Sequence, residues 1–200
     1  MATAKRDLLL ETAERLFYTE GFHATGIDRI VQAAGVVRMT LYNHFPSKTA
    51  LVAAVLARRH ARFLGALDAA LADAPDGRAS WALVEAHNAW LRGVGQHGCI
   101  LMKAVGEFSA HAPEIREQAR AAKADLRRRI ADALARDGLR TDGGLVEQVF
   151  LVLEGANAGV PLIGADATLR HTRATLAPLL PTRSPDPDPD PDPDPETEAQ

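Results

Sequence analysis

A chain of 200 residues has room for one ordinary globular unit, or for a core domain with a small extra module, and this excludes a large multidomain enzyme. With 46% hydrophobic and 24% charged residues, wholesale disorder and fibrous repeats are excluded; the single cysteine, Cys99, excludes an intrachain disulfide or a four-cysteine zinc site and points to a reducing compartment. The net charge of −3 conceals an asymmetry: Pro185 to Gln200 carries five Asp and two Glu but no Lys or Arg, so residues 1–184 hold 23 basic against 19 acidic side chains, a mildly basic body that suits a nucleic-acid partner without requiring one.

In chain order, Met1 to Asp7 leads into only three leucines before Glu11, short of a secretory hydrophobic region, so export is not expected. Residues 4–20 place Leu9, Ala13, Leu16 and Phe17 on one helical stripe, with Gly21 positioned to stop the helix. Thr25, three residues before Asp28, resembles a capping box opening a short helix whose apolar face is Ile27, Ile30, Val31 and Ala34. Gly35 turns the chain, and Val36, Leu41 and Phe45 continue the pattern through a second short helix ended by Pro46. Two short helices across a glycine turn make a helix-turn-helix.

Ser47 is the expected N-cap of a long connecting helix reaching about Asp73, closed by Pro75-Asp76-Gly77. Helices are expected over residues 80–95, from Ile100 to about Ser109, and from Pro113 to Arg136. From Asp142 to about Val160 the chain is apolar round most of its circumference, which calls for burial on two sides; Glu147, Gln148, Glu154 and Asn157 argue against a bilayer span of about 20 apolar residues. A last amphipathic helix covers roughly Asp166 to Ala177. Alternating Pro and Asp from Pro185 to Pro195 predict a disordered, solvated tail. With little β-branched alternation anywhere, the fold class is all-α, and the protein is expected to be soluble and cytoplasmic.

A recognition helix carries sequence-reading side chains near its N-terminus, flanked by groups that hold phosphates. With Leu41 and Phe45 turned inward, Arg38, Thr40, Tyr42, Asn43 and His44 face outward. Arg38 offers a bidentate fork to guanine, Thr40 a hydroxyl and a methyl, and Lys48 a cation for a phosphate. Pattern alone leaves open an exposed polar face on a small helical subdomain.

The stretch Leu9 to Leu56, with Ala13, Leu16-Phe17, Gly21-Phe22, Thr25, Ile30, Ala34-Gly35-Val36 and above all Thr40-Leu41-Tyr42-Asn43-His44-Phe45-Pro46-Ser47-Lys48, resembles the N-terminal domain of the TetR/AcrR family of bacterial regulators. The resemblance implies an N-terminal three-helix helix-turn-helix domain over residues 1–48, a helical ligand-binding and dimerisation domain over residues 49–182, and the acidic tail over residues 183–200. It also implies a homodimer that binds a palindromic double-stranded DNA operator, usually as a repressor, and releases it when a small molecule enters the C-terminal domain. By matching positions Thr25 and Lys48 contact phosphates, with Tyr42 and His44 also at the backbone; Arg38, Met39 and Thr40 lie nearest the bases, and Gly26 and Asn43 complete the DNA-facing set. Many relatives carry a small residue where Met39 stands, so base preference does not transfer from them.

An effector pocket is expected from the aromatic, soft and polar groups Trp81, His87, Trp90, Met102, Phe108, Phe150, Glu154 and Asn157, although residues of these types, taken singly, more often pack a core or satisfy a buried hydrogen bond than touch a ligand. Dimerisation falls to Val149, Val152, Leu153, Ala156, Gly159 and Val160 of the apolar helix with Leu169 and Leu176 of the last one, where Gly155 and Gly159 allow backbones to approach closely. Cys99 near His97, and Ser109 near His111, lack an elbow, an oxyanion loop and an orienting third group. His87, His97, Cys99 and His111 lack metal-ligand spacing. No catalytic residue, metal or cofactor is therefore expected. An activator with the same head and a small-molecule-binding helical enzyme are the alternatives.

Overall fold

The computed structural model describes residues 2–108 and 111–180, and the acidic tail and Ser109 lie outside the described residues. Among the described residues there are nine helices and no strand: α1 Ala2–Glu20, α2 Ile27–Ala34, α3 Arg38–His44, α4 Lys48–Ala72, α5 Ala79–Gly93, α6 Ile100–Phe108, α7 Pro113–Arg136, α8 Leu145–Ile163 and α9 Ala165–Leu176.

The first three helices close round the stripe read from the sequence. Leu9, Ala13, Leu16 and Phe17 of α1 meet Ile30 of α2 and Leu41 of α3, all fully buried, and Phe17 stacks on Phe22 with centroids 5.0 Å apart. Gly35 stands in the left-handed region at φ 64°, and Val36 N donates to Val31 O at 3.0 Å; a side chain there would be strained, which is why glycine makes the turn. Ser47 caps α4 as its sequence predicts, accepting from Ala50 N at 3.0 Å. The capping box at α2 does not form. Gly26 is the N-cap, without a side-chain bond, while the Thr25 hydroxyl donates to Gly21 O at 2.7 Å and so ties the α1–α2 turn together from inside.

The apolar core of these helices does not stop at α4. It continues through Leu51, Val52, Val55 and Leu56 into Ile100, Leu101, Ala104 and Phe108 of α6 and Ile115 and Ala119 of α7. A second cluster joins Leu67 of α4, Leu83 and Val84 of α5, Leu126 and Ile130 of α7, Val149 and Leu153 of α8 and Leu176 of α9. Polar ties reinforce the join between the first helix and the rest. Buried Glu14 accepts from Arg59 at 2.8 Å and Arg62 at 3.0 Å, and Arg59 also donates to Val94 O at 2.7 Å. Tyr18 donates its hydroxyl to Gly98 O at 2.8 Å. A buried carboxylate is tolerated because its charge is paired and hydrogen-bonded, and removing either partner strands the other.

Two helix ends rest on distant residues. No side chain near Arg78 caps α5, but Asp137, beyond the end of α7, accepts from Ala79 N at 2.8 Å and Ser80 N at 2.7 Å, satisfying first-turn donors with a charge of the favourable sign. Helix α8 runs a turn past Val160, through Pro161, to Ile163. Proline donates no N–H to the helix, and Gly98, at φ 85°, brings the α5–α6 loop so close that a Cβ there would lie 3.1 Å from Asn157 O.

Candidate DNA interface and effector cavity

The outward face of α3 is built by what its inward face must bury. Leu41 and Phe45 lock the helix to the core, so Arg38, Met39, Tyr42 and Asn43 are exposed and Thr40 and His44 are half-buried. Met39 is 68% exposed, as is Val37 just ahead of the helix. Solvent does not accommodate such apolar side chains cheaply, and a base edge or a thymine methyl is a natural counterpart for them. Gly26 is exposed at the start of α2.

Arg38 is engaged by Asp28 of α2. Its Nε donates to Asp28 Oδ1 at 3.0 Å, and its terminal nitrogen pairs with the same oxygen, which raises its pKa above the ordinary value, the hydrogen bond to Asp28 being the main cause. Lys48 opens α4 half-buried, with Nζ 3.5 Å from His23 O; burial pulls its pKa down against the opposing attraction of Glu107. Thr25 requires a correction. It is fully buried and its hydroxyl is spent on backbone carbonyls, so its side chain cannot meet a phosphate; the exposed residues of that turn are His23, Ala24 and Gly26.

A small cavity of about 50 Å³, open to solvent, lies between α4, α5, α6, α7 and α8. Leu56, Phe63, Trp90, Leu101 and Leu126 form apolar walls, and Arg59, His60, Cys99, Lys123, Glu154 and Asn157 supply polarity. Lys123 Nζ lies 2.7 Å from Glu154 Oε1 and 3.3 Å from Cys99 Sγ. Burial works to lower the Lys123 pKa, but Cys99 and Glu154 outweigh it and leave the pKa raised. His60 meets Asp125 at 3.0 Å.

Of the pocket residues expected from the sequence, Trp90, Glu154 and Asn157 line this cavity, and His87 lies behind it, its Nε2 3.3 Å from Asn157 Nδ2. The other four are elsewhere. Trp81 donates to Leu180 O at 2.8 Å, Met102 is 52% exposed, Phe108 packs edge-on to Phe22, and Phe150 lies under Arg127. Aromatic and soft residues fill any core, so residue type alone does not separate the two uses. The reading also missed Lys123 and Arg59, although both carry a legible signal. Lys123 falls between the buried Ala119, Ala122 and Leu126 of α7, and Arg59 between Leu56 and Phe63 of α4, so each places a charge on an apolar stripe. Among the described residues no group of three or more His, Cys, Asp or Glu is placed to hold a metal ion.

Helix α6 joins the cavity to the head. Its first residues, Ile100 and Leu101, line the cavity. Near its end the Glu107 carboxylate accepts from Phe22 N at 3.0 Å and His23 N at 2.6 Å. His23 Nε2 contacts Glu107 O at 2.7 Å, and the His23 ring stacks on Phe108 at 5.1 Å.

The surface for a second copy needs a further correction. Val149, Leu153, Ala156 and Val160 of α8 and Leu169 and Leu176 of α9 are buried within the chain, Val152 is half-buried, and Gly159 is taken up against Thr168 at 3.1 Å. These residues hold α8 against its own neighbours. The opposite face of α8 is apolar and open: Leu151 is 65% exposed and Leu162 is 81% exposed, with Gly155 and Ala158 exposed between them at helical spacing. Helix α8 is long and apolar enough to cross a membrane by length and composition alone.

The family described as bacterial regulatory proteins, tetR family, matches residues 9–55. The HTH-type transcriptional activator FasR of Mycolicibacterium smegmatis is 39% identical over 74 residues, 37% of this chain and 34% of that protein. The HTH-type transcriptional repressor ComR of Escherichia coli is 39% identical over 66 residues, 33% of this chain and 31% of that protein. The match therefore spans about a third of the length of these curated relatives. A TetR-family transcriptional regulator from Streptomyces coelicolor, known from its crystal structure, superposes with a TM-score of 0.81 at 27% identity, over 89% of this chain and 95% of that one.

Proposed function

From the premise that the chain belongs to the TetR family of bacterial regulators, we propose that it is a cytoplasmic, ligand-responsive repressor, binding a palindromic operator as a homodimer and released by a small molecule in the α4–α8 cavity. The proposal keeps the division of labour between a head over residues 1–48 and a sensing and dimerising body over residues 49–182. The observation that carries it is the path of α6, which begins on the cavity wall at Ile100 and Leu101 and ends with Glu107 clasping the turn before α2.

Two recognition helices of a dimer must stand about 34–36 Å apart to enter successive major grooves. A ligand that displaces the start of α6 drags Glu107, and with it the α1–α2 turn, so the separation changes and affinity falls. Moving the population from 99:1 to 1:99 takes about 5.5 kcal/mol of differential binding, which demands several contacts; the apolar walls, Asn157 and the Lys123–Glu154 pair supply them. The exposed stripe Leu151, Gly155, Ala158 and Leu162, flanked by α9, is the dimer surface in this reading, because an isologous contact needs one self-complementary patch. Arg38 exchanges Asp28 for a guanine edge on docking, while Met39, Thr40, Tyr42 and Asn43 complete the DNA face and Gly26, His44 and Lys48 flank it at phosphates.

An activator using the same head is the second reading, favoured by the likeness to FasR. The deciding experiment titrates the protein against labelled intergenic DNA flanking its own gene, with random duplex as competitor, at several salt concentrations and beside Tyr42→Ala. Specific binding that weakens about tenfold or more in Tyr42→Ala supports the regulator; equal, salt-governed binding to both DNAs counts against it. Transcription from that promoter with and without the protein separates repressor from activator.

A further inference from the structure

The regulator reading leaves the nature of the effector open, and one constellation in the cavity bears on it. Cys99 is the only cysteine in the chain. It directly precedes α6, its carbonyl accepting from Lys103 N at 3.1 Å; it is partly exposed and lies on the cavity wall. Its Sγ is 3.3 Å from the Lys123 ammonium. A thiolate is the reactive form of cysteine, and a helix N-terminus, an adjacent cation and access to solvent are the conditions that make one. Here all three meet in a cleft whose other walls are mixed, Leu56, Phe63, Trp90 and Leu126 being apolar and Arg59, His60, Glu154 and Asn157 polar.

We propose that Cys99 is a nucleophile that captures small apolar α,β-unsaturated carbonyl compounds in this cavity, and that the adduct is the signal that frees the operator. The first half rests on the cavity alone, and the second rests on the regulator reading. In the reaction, the thiol proton passes to water as Sγ pairs with Lys123. Sγ forms a bond to the β carbon, the C=C π pair becomes the double bond between the α and carbonyl carbons, and the C=O π pair moves onto oxygen to give an enolate. Lys123 gives a proton to the α carbon and regains one from water. The net change is addition of S–H across C=C, with no oxidant or reductant consumed. Leu56, Phe63, Trp90 and Leu126 give the hydrocarbon part of the electrophile an apolar surface, and the Lys123 ammonium beside Sγ is at hand for the carbonyl oxygen. The adduct parts Cys99 from Lys123 at the start of the helix whose far end holds the head.

The test uses the full chain with 2-cyclohexenone, and cyclohexanone as the unreactive control. Intact-mass spectrometry and peptide mapping are expected to show one adduct, on Cys99, absent from Cys99→Ser and forming about tenfold faster than on glutathione at the same pH. Lys123→Met should slow it. Glu154→Gln, which removes the competitor for the ammonium while keeping the side-chain shape, should speed it. A rate no greater than that of glutathione overturns the proposal, as does an unchanged rate in Glu154→Gln. The operator found by titration supplies the second readout: release by the enone but not by cyclohexanone, lost in Cys99→Ser, supports the signalling role, and an adduct without release overturns it. A protein that binds its operator but forms no adduct refutes this proposal and leaves the regulator reading standing; one that forms the adduct but binds no operator refutes the regulator reading instead.

Discussion

His87 holds its imidazole in a site 1% exposed, set against Phe63 at 6.0 Å. Because the Asn157 amide donates toward Nε2, the ring proton belongs on Nδ1, which has no partner among the described residues. Burial, aided by the positive charge of Lys123, lowers its pKa from 6.5 to about 3. The folded state therefore keeps this histidine neutral while the unfolded chain protonates it, so the unfolded state binds more protons between these two values. Its contribution to stability is complete above about pH 6.5 and is lost as pH falls toward about 3, at about 1.4 kcal/mol per pH unit. Urea midpoints measured from pH 7 to pH 5 should fall accordingly, and His87→Leu should flatten the fall; an unchanged slope in the variant would remove His87 from the explanation. His87 was legible as a polar group on an apolar stripe of α5, but its solvation was not, because that depends on α4 and α8 closing over it.

At the scale of elements, α6 does more than its nine residues suggest. A carboxylate that accepts two backbone N–H groups makes charge-assisted bonds, and Glu107 spends both oxygens on the α1–α2 turn. Glu107→Ala should loosen the head by about 1–3 kcal/mol, weaken operator binding and leave the remaining affinity insensitive to effector. Operator titration with and without effector reads both effects, and a variant that responds like the parent would show that the signal travels by another route. The ends of α2, α3 and α4 were readable because Gly35, Pro46 and Ser47 act locally. The α5 cap was not, because Asp137 reaches it from the far end of α7, and no local pattern encodes a partner so distant in the chain. Thr25 shows the converse error: its spacing to Asp28 fits a capping box, yet burial of the turn gives its hydroxyl to Gly21 O.

On the scale of the whole molecule, the two faces of α8 make opposite predictions. Leu151→Glu puts a charge on the exposed stripe and should weaken the proposed dimer by about a hundredfold or more without unfolding the chain. Leu153→Ala opens a cavity in the core and should cost about 2–5 kcal/mol of stability. Sedimentation velocity reads the first and urea denaturation the second. A Leu151→Glu protein that stays dimeric would place the interface elsewhere.

The amino-acid sequence by itself determined the all-α class, the helix order, the helix-turn-helix and the outward residues of α3, because helical periodicity, glycine turns and proline stops act over a few residues. Tertiary structure decided which face of α8 is inward, since a helix apolar nearly all round carries no signal that distinguishes its two apolar sides. It also decided which aromatic residues surround a cavity and which fill the core, and it brought Cys99 of the α5–α6 loop to Lys123 of α7 and Glu107 of α6 to the turn before α2. Each of these is a meeting of residues far apart in the chain, fixed by how the helices pack rather than by any one helix.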